Sequence, residues 1–431
     1  MVTVSKTHTF GSVAQRGEAR SQQRGSRFVR GISFVVIMVS LFPLLAACAG
    51  QGKPAAAGVV KVGVVYPLSG DLADVGKENK NGVILAADEI NAAGGIKSLG
   101  GAKLELVFGD TQGKPDIGSQ ETERLIKAEN VVAVIGAYQS SVTKPATEVA
   151  ERLETPFIVS MGIADIITER GFRYTFRICP AAKYYVRDQA RFLKDLADSA
   201  SYRVQRVALL YENTDFGTAT AVAQKEILPQ NGVEIVADVS YTAEGVTDLT
   251  AEVAQVLAAK PDAILETTYL KDSILIAQAL AAKGAKVSLL DNAGGTVYPE
   301  YAQQLGPLAE GTLTTAEFSK YTPEGKALND RFRARFGSDV TGNGLYAYQA
   351  VWVLKDALER AGSQDRKKLR QALAGTDLPQ GPQMILPAER LHFGADGQNE
   401  FATLYIVQIQ NGELVPVWPA KSAVTKVRLA Q

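Results

Sequence analysis

The fold is decided between residues 59 and 160, where VVKVGVVY (59–66), KLELVFGD (103–110), VVAVIGAY (131–138) and TPFIVS (155–160) alternate with three longer segments. Each of the four is a short, apolar, β-branched run bounded by Gly, Pro or Asp, which predicts strands. The segments between them are VGKENKNGVILAADEINAAGG (75–95), PDIGSQETERLIKAE (115–129) and SSVTKPATEVAERLE (140–154). Their apolar residues recur at three- and four-residue spacing, which predicts helices. The rhythm restarts with RVALLYEN (206–213), FGTATAVAQKEILPQNG (216–232), VEIVADVSY (233–241), VTDLTAEVAQVLAAK (246–260), PDAILETTY (261–269), DSILIAQALAAKG (272–284) and VSLLDN (287–292). Two successive βαβ series predict an α/β protein with two doubly wound parallel sheets, each covered by helices on both faces. The changeover falls near Cys179-Pro180. Further helices are predicted at 323–337 and 342–362, and short strand-like pieces from about Pro382, ending in LYIVQIQNGELVPVW (404–418).

The composition suits such a protein. The chain has 431 residues, 46 Lys+Arg against 46 Asp+Glu, 46% hydrophobic residues and 2 Cys, enough for two or three domains with their own cores. Disorder, collagen and disulfide scaffolds are excluded. A balanced charge also removes the usual argument for nucleic-acid binding, since a phosphate-binding surface leaves a basic excess. With only His8 and His392, a His-rich metal site is not expected.

That balance joins two unlike parts. Residues 1–47 carry six basic residues and one acid, so they hold a charge of +5 and the remainder −5. After Arg30 follows GISFVVIMVSLFPLLAAC (31–48), an uncharged apolar stretch behind arginines that ends in small residues. Interrupted by Pro43 and shorter than a spanning helix requires, it reads as a secretory signal, with an uncleaved N-terminal anchor as the alternative. Leu45-Ala46-Ala47-Cys48 resembles the lipobox of bacterial lipoproteins, which implies cleavage before Cys48 and lipidation of its thiol. AGQGKPAAAG (49–58) then reads as a tether to a membrane surface. Cys179 is left as a buried, inert thiol.

In open α/β sheets ligands lie beyond the carboxyl ends of the strands. The first strand is followed by Pro67-Leu68-Ser69-Gly70-Asp71, with no glycine-rich dinucleotide loop, and no nucleotide loop, nucleophile elbow or metalloprotease motif occurs elsewhere. Neither cofactor nor metal is expected, and catalysis has no foothold. Asp110, Asp291 and Glu317 stand alone and read first as caps and turn formers. Ser140 and Ser141, where a helix begins after the third strand, offer hydroxyls and free N–H groups to a carboxylate, or serve as caps. Ser160 and Gly162 offer a hydroxyl and a close backbone approach, or form a simple turn.

The stretches VKVGVVYPLSGDLADVGKENKNGVILAADEINAAGGI (60–96), AYQSSVTKPATEVAE (137–151) and DAILETTYLKDSILIAQALAAKG (262–284) together resemble the type I solute-binding proteins of ABC transporters, in their branched-chain amino acid-binding branch. The resemblance spans roughly Val59 to Pro419. It implies two Rossmann-like lobes joined by three hinge strands: lobe one over 59–178, lobe two over 179–313, a return to lobe one over 314–378, lobe two again over 379–419, and a tail over 420–431. It implies a monomer that is not an enzyme, exported and lipid-anchored, with a small-molecule ligand, an ABC permease and its ATPase as partners, and no nucleic acid.

By this resemblance Ser140 matches the serine that binds the ligand carboxylate, Tyr269 a tyrosine of the second lobe's side of the cleft, and Phe216 an aromatic position of that lobe. Tyr346 and Tyr348 lie near another aromatic contact; core packing is the competing role for these aromatics. Two positions depart from the family. Ala164 stands near where a threonine helps hold the carboxylate, and Ala293 where a glutamate neutralises the ammonium. Asp291, or Asp272 beside Tyr269, is a candidate substitute anion, although Asp272 also reads as a helix cap. If neither acid faces the cleft, a small amide, carboxylate or aromatic acid fits better than an α-amino acid. Besides transport, a sensing module and an enzyme on the same scaffold are the alternatives, the last without a visible motif.

Overall fold

The computed structural model describes residues 58–199, 203–292 and 294–429. The expected signal segment, Cys48, nearly all of the tether, Ala293 and the last two residues lie outside them. Among the described residues no helix is long and apolar enough to cross a membrane.

β1 (Val59–Tyr66) is buried without interruption from Val62 to Tyr66, as a parallel strand covered on both faces must be. The chain continues through α1 (Ala73–Ala92), β2 (Lys103–Asp110), α2 (Pro115–Lys127), β3 (Ala133–Gly136), α3 (Ser140–Arg152), β4 (Phe157–Val159) and β5 (Thr175–Arg177). These strands make one parallel sheet in the order β2-β1-β3-β4-β5. α4 (Ala182–Ser199) opens the second series: β6 (Arg206–Glu212), α5 (Asp215–Gln230), β7 (Glu234–Tyr241), α6 (Thr250–Ala258), β8 (Ala263–Thr267), α7 (Leu270–Ala282), β9 (Ser288–Asp291), α8 (Pro299–Leu305) and β10 (Leu313–Ala316). Its parallel strands lie in the order β7-β6-β8-β9-β10, the same winding as the first sheet. In this winding the chain reverses direction beside the first strand, and the crevice there is where ligands bind.

After β10 the chain forms α9 (Pro323–Phe336), α10 (Gly342–Ala361), α11 (Arg366–Ala374) and the hairpin β11 (Asp377–Pro379) with β12 (Arg390–His392). β13 (Tyr405–Gln410) and β14 (Glu413–Trp418) then add antiparallel strands to the β10 edge and complete a seven-stranded sheet. α10 lies against α1 and the first sheet, so this segment belongs to lobe one.

The chain passes between lobes after β5, after β10 and before β13. The first and third passages run side by side: Asn399 N donates to Arg177 O at 2.9 Å, Asn399 Nδ2 to Ile178 O at 3.1 Å, and Gln398 Nε2 to Cys179 O at 3.0 Å. Two boundaries differ from the sequence reading. Residues 314–316 stay in the second sheet as part of β10. Residues 379–399 pack on lobe one: Gln349 Nε2 of α10 donates to Ile385 O, the Phe176 and Phe393 rings meet at a tilt with centroids 5.4 Å apart, and Arg177 pairs with Gln398. This irregular stretch has no period from which a partner could be read; only its contacts assign it.

Candidate functional site

Where the carboxyl ends of the two sheets face each other, Tyr138, Ser140, Met161, Gly162 and Ile163 of lobe one meet Phe216, Tyr269, Asn292 and Gly294 of lobe two, with Tyr185 beside the first hinge passage. Apart from Tyr185, these residues lie at or just beyond the ends of strands. β3 runs into α3, whose first residue, Ser140, lines the cleft, so the Ser140 and Ser141 amides begin the helix without intrahelical acceptors. Tyr138 takes φ 87° in that turn. Gly162 sits at φ 120°, where a Cβ would also come within 2.8 Å of Thr143 Oγ1, so the loop after β4 needs glycine to reach the cleft. In lobe two the Glu212 carboxylate at the end of β6 accepts from Thr214 N, Thr214 Oγ1 and Gly217 N, fixing the first turn of α5 that carries Phe216.

The lobes are in contact. Tyr138 and Tyr298 hydroxyls lie 3.4 Å apart, Asn343 Nδ2 donates to Tyr298 Oη at 2.6 Å, and Lys144 of α3 pairs with Asp215 of α5 at 3.1 Å. Tyr269 packs between Tyr138 and Phe216, with ring centroids 6.1 and 5.4 Å away. The cleft therefore retains only about 20 Å³ open to the centre of a water-sized sphere, room for about one water.

Among the described residues no ionised side chain lines this space. Burial raises the Tyr138, Tyr185 and Tyr269 hydroxyls far above their ordinary range, so they stay neutral. Ser140 Oγ accepts from Ala164 N at 3.1 Å, which leaves its proton free to donate. The Asn292 amide is oriented by a buried chain. Thr220 Oγ1 donates to Phe216 O at 3.0 Å, so it must accept from Asn292 Nδ2 at 3.2 Å. Asn292 Oδ1 then accepts from Gln189 Nε2, and Gln189 Oε1 from Gln224 Nε2.

Of the residues singled out from sequence, the structure brings Ser140, Gly162, Phe216 and Tyr269 together. The others lie elsewhere. Ser141 is half-buried on α3 and Ala164 sits behind Ser140, neither on the cavity wall. Ser160 Oγ is bonded to Tyr66 Oη at 2.7 Å beneath the loop. Tyr346 is buried within α10, facing the core. Asp291 is turned into its own loop, its Oδ2 accepting from Gly294 N, Thr296 N and Thr296 Oγ1, and burial pushes its carboxyl up to about 6. Asp272 accepts from Tyr241 Oη at 3.0 Å and reaches back to Tyr269 N, a cap from the third helical residue rather than from the N-cap itself. Asp110 likewise gathers Leu68 N, Ser69 N, Ser69 Oγ and Gln112 N into a turn. Burial pushes the Cys179 thiol up to about 12, which makes it unreactive.

The sequence reading missed Tyr138, Met161, Ile163, Tyr185, Asn292 and Gly294. Five of them lie within a few residues of a strand end already under scrutiny. Tyr185 is different: it comes from the first turn of α4, just past the hinge, and nothing local marks it.

Two doubly wound lobes, three passages between them and a neutral chamber at their facing strand ends define a two-lobed ligand-binding protein. The match to the family described as Periplasmic binding protein covers residues 59–413, and the chain belongs to that family. Leu/Ile/Val-binding protein homolog 7 of Brucella melitensis is 30% identical over 413 residues, covering 92% of this chain and 99% of its own length. Homolog 8 of Brucella abortus is 30% identical over 381 residues, covering 86% and 93%. Among solved structures, a branched-chain amino acid transporter substrate-binding protein from Streptococcus pneumoniae, in complex with isoleucine, superposes with a TM-score of 0.73 at 25% identity, covering 83% of this chain and 97% of that one. A solute-binding protein of an ABC transporter from R. palustris, in complex with benzoate, shares the fold at TM-score 0.72 and 20% identity, covering 86% and 100%.

Proposed function

We propose that this chain is an exported, lipid-anchored receptor that captures a branched-chain or related amino acid between its lobes and presents it to an ABC permease and its ATPase. The carrying observation is the pairing of walls. A free Ser140 hydroxyl and the first amides of α3 suit a carboxylate, and Met161, Ile163 and Phe216 suit an aliphatic side chain. The names of the Brucella relatives and the isoleucine in the Streptococcus structure favour the same ligand class. The ligand would touch both lobes, so its contacts are complete only in the closed form that a permease would recognise. Cys48, in Leu45-Ala46-Ala47-Cys48, is the proposed lipid attachment.

A second reading, a receptor for small carboxylates or amides, rests on one observation: among the described residues no carboxylate faces the cavity to meet an ammonium. Melting temperatures with leucine, isoleucine, valine, benzoate and small amides separate the two. A solute at about 100 times its Kd adds about 2.7 kcal/mol of stability, a shift of degrees. Selective stabilisation by the branched-chain amino acids is the expected result. A response to benzoate or amides alone would transfer the assignment to the second reading.

A further inference from the structure

A larger cavity lies beside the second hinge passage, separate from the cleft chamber. It opens about 260 Å³ to a water-sized sphere, against about 20 Å³ in the cleft. Cavities of roughly 150 Å³ lined by aliphatic and aromatic groups already take up benzene. Its walls come from both lobes: Val340 to Gly342 from lobe one, Val297 to Pro299 and Ala302 around α8 and the β13–β14 strands from lobe two, and residues 316–321 of the hinge passage between them.

Most of the lining is apolar, including Phe318, Val340, Ile409 and Leu414. Its charged groups are paired at the rim, with one exception. Lys320 lies 3.4 Å from Glu413 and 3.9 Å from Asp339, and Arg333 also bonds to Asp339. Glu317 is 2% exposed, lines the cavity, and has no cationic partner among the described residues. It accepts instead from the Tyr185 hydroxyl, and Tyr185 also lines the cleft chamber. A buried carboxyl with no counter-charge must either hold a proton or be met by a cation.

We propose that this cavity is a second ligand site, for a small apolar amine whose ammonium pairs with Glu317 while its hydrocarbon lies against Phe318, Val340, Ile409 and Leu414. Because both lobes line the site, its occupant favours the closed form, and by reciprocity it raises affinity in the cleft by the same factor that a cleft ligand raises its own. That coupling rests on the cleft being a ligand site as proposed above; the amine site itself does not.

Burial pushes the Glu317 carboxyl up to about 7, with Asp291 of β9 and Glu78 of α1 adding repulsion. Tyr185 of α4, Tyr346 of α10, Tyr298 before α8 and Cys179 of the first passage also face it, all held neutral by burial. Amine binding therefore displaces a proton from Glu317, and affinity falls as pH drops below 7, approaching about tenfold per unit.

Calorimetric titration of the purified protein with benzylamine, and with benzyl alcohol as the uncharged counterpart, tests this. Expected are saturable benzylamine binding, benzyl alcohol binding at least about tenfold weaker, and losses of similar size in Glu317→Gln, which keeps an acceptor for Tyr185, and in Ala302→Phe, which fills the cavity from α8. Ser140→Ala, in the cleft, should leave benzylamine binding unchanged. The pH slope should vanish in Glu317→Gln; a persisting slope would assign it to Glu78 or Asp291 and overturn the proposal. So would absence of saturable binding, equal binding of amine and alcohol, or loss in Ser140→Ala with none in Ala302→Phe. If Glu317→Gln does not fold, Ala302→Phe and the wild-type pH series decide. Failure of every amino acid to bind in the cleft would remove the coupling and leave the amine result standing.

Discussion

Asn292 illustrates how far a single residue's chemistry can be followed. The helix carbonyl of Phe216 claims the Thr220 proton, which fixes the direction of every bond as far as Gln224. Asn292→Leu, close in size, would leave Gln189 Nε2 without its acceptor and a Thr220 lone pair without its donor. We expect a loss of about 1 to 3 kcal/mol in urea unfolding, where a purely surface-facing amide would cost almost nothing. Residues of this kind are hard to see in sequence. Ser140 is legible because it follows a strand and opens a helix, whereas Phe216 and Tyr269 are reached only through the family resemblance. Asn292 stands beside Asp291, a candidate anion in the sequence, yet the acid turns into its own loop and the amide meets the cleft. The direction in which adjacent side chains point at a strand end depends on the turn that follows, which residue types alone do not specify.

Among the elements, the loop after β4 and the start of the first hinge passage are held by Arg177, which is wholly buried. Its NH1 donates to Gly162 O and Ala164 O at 3.1 and 2.7 Å, NH2 to Thr168 Oγ1 at 3.0 Å, and Nε to Gln398 Oε1. One guanidinium thus joins the cleft-lining loop to the third passage. Arg177→Leu would strand several of these acceptors, and stability should fall by at least about 3 kcal/mol, measured by denaturant unfolding. By contrast the Lys144–Asp215 pair joining α3 to α5 is partly exposed, with side chains 41% and 32% accessible. Lys144→Ala should therefore weaken solute binding by less than about 1 kcal/mol, and the difference should disappear at high salt. The strands and helices of both series are legible because short, continuous apolar runs alternate with longer segments whose apolar residues recur at helical spacing. The 379–399 stretch was not, since it is held by particular bonds such as Arg177 to Gln398 rather than by a repeating pattern.

For the molecule as a whole, the buried carboxyls of Glu317 and Asp291 and the half-buried one of Glu78 lie near the junction of the lobes, and desolvation raises Glu78 and Glu317 to about 7 and Asp291 to about 6. Each folded value lies above the unfolded one, near 4, so the folded state holds more protons between the two. Their contribution is fully present below about pH 4 and is lost as pH rises through 6 to 7. Unfolding midpoints in urea should accordingly fall between pH 5 and about 7.5, and Glu78→Gln with Glu317→Gln should flatten that slope. An unchanged slope would assign the dependence to other groups. The doubly wound design of each lobe was evident from the alternating series, but the closeness of the two lobes was not. It depends on Tyr138, Tyr269 and Tyr298 meeting across the cleft, contacts between residues more than a hundred positions apart.

In the proposed function one small solute is gripped by both lobes at once. Calorimetric titration of leucine, isoleucine and valine into the protein, into Ser140→Ala and into Phe216→Ala tests it with one residue from each wall. One-to-one binding of at least one of the three is expected, weakened by about 1 to 3 kcal/mol in either variant. Binding that is untouched by one of the two substitutions, or absent for all three amino acids, would contradict it.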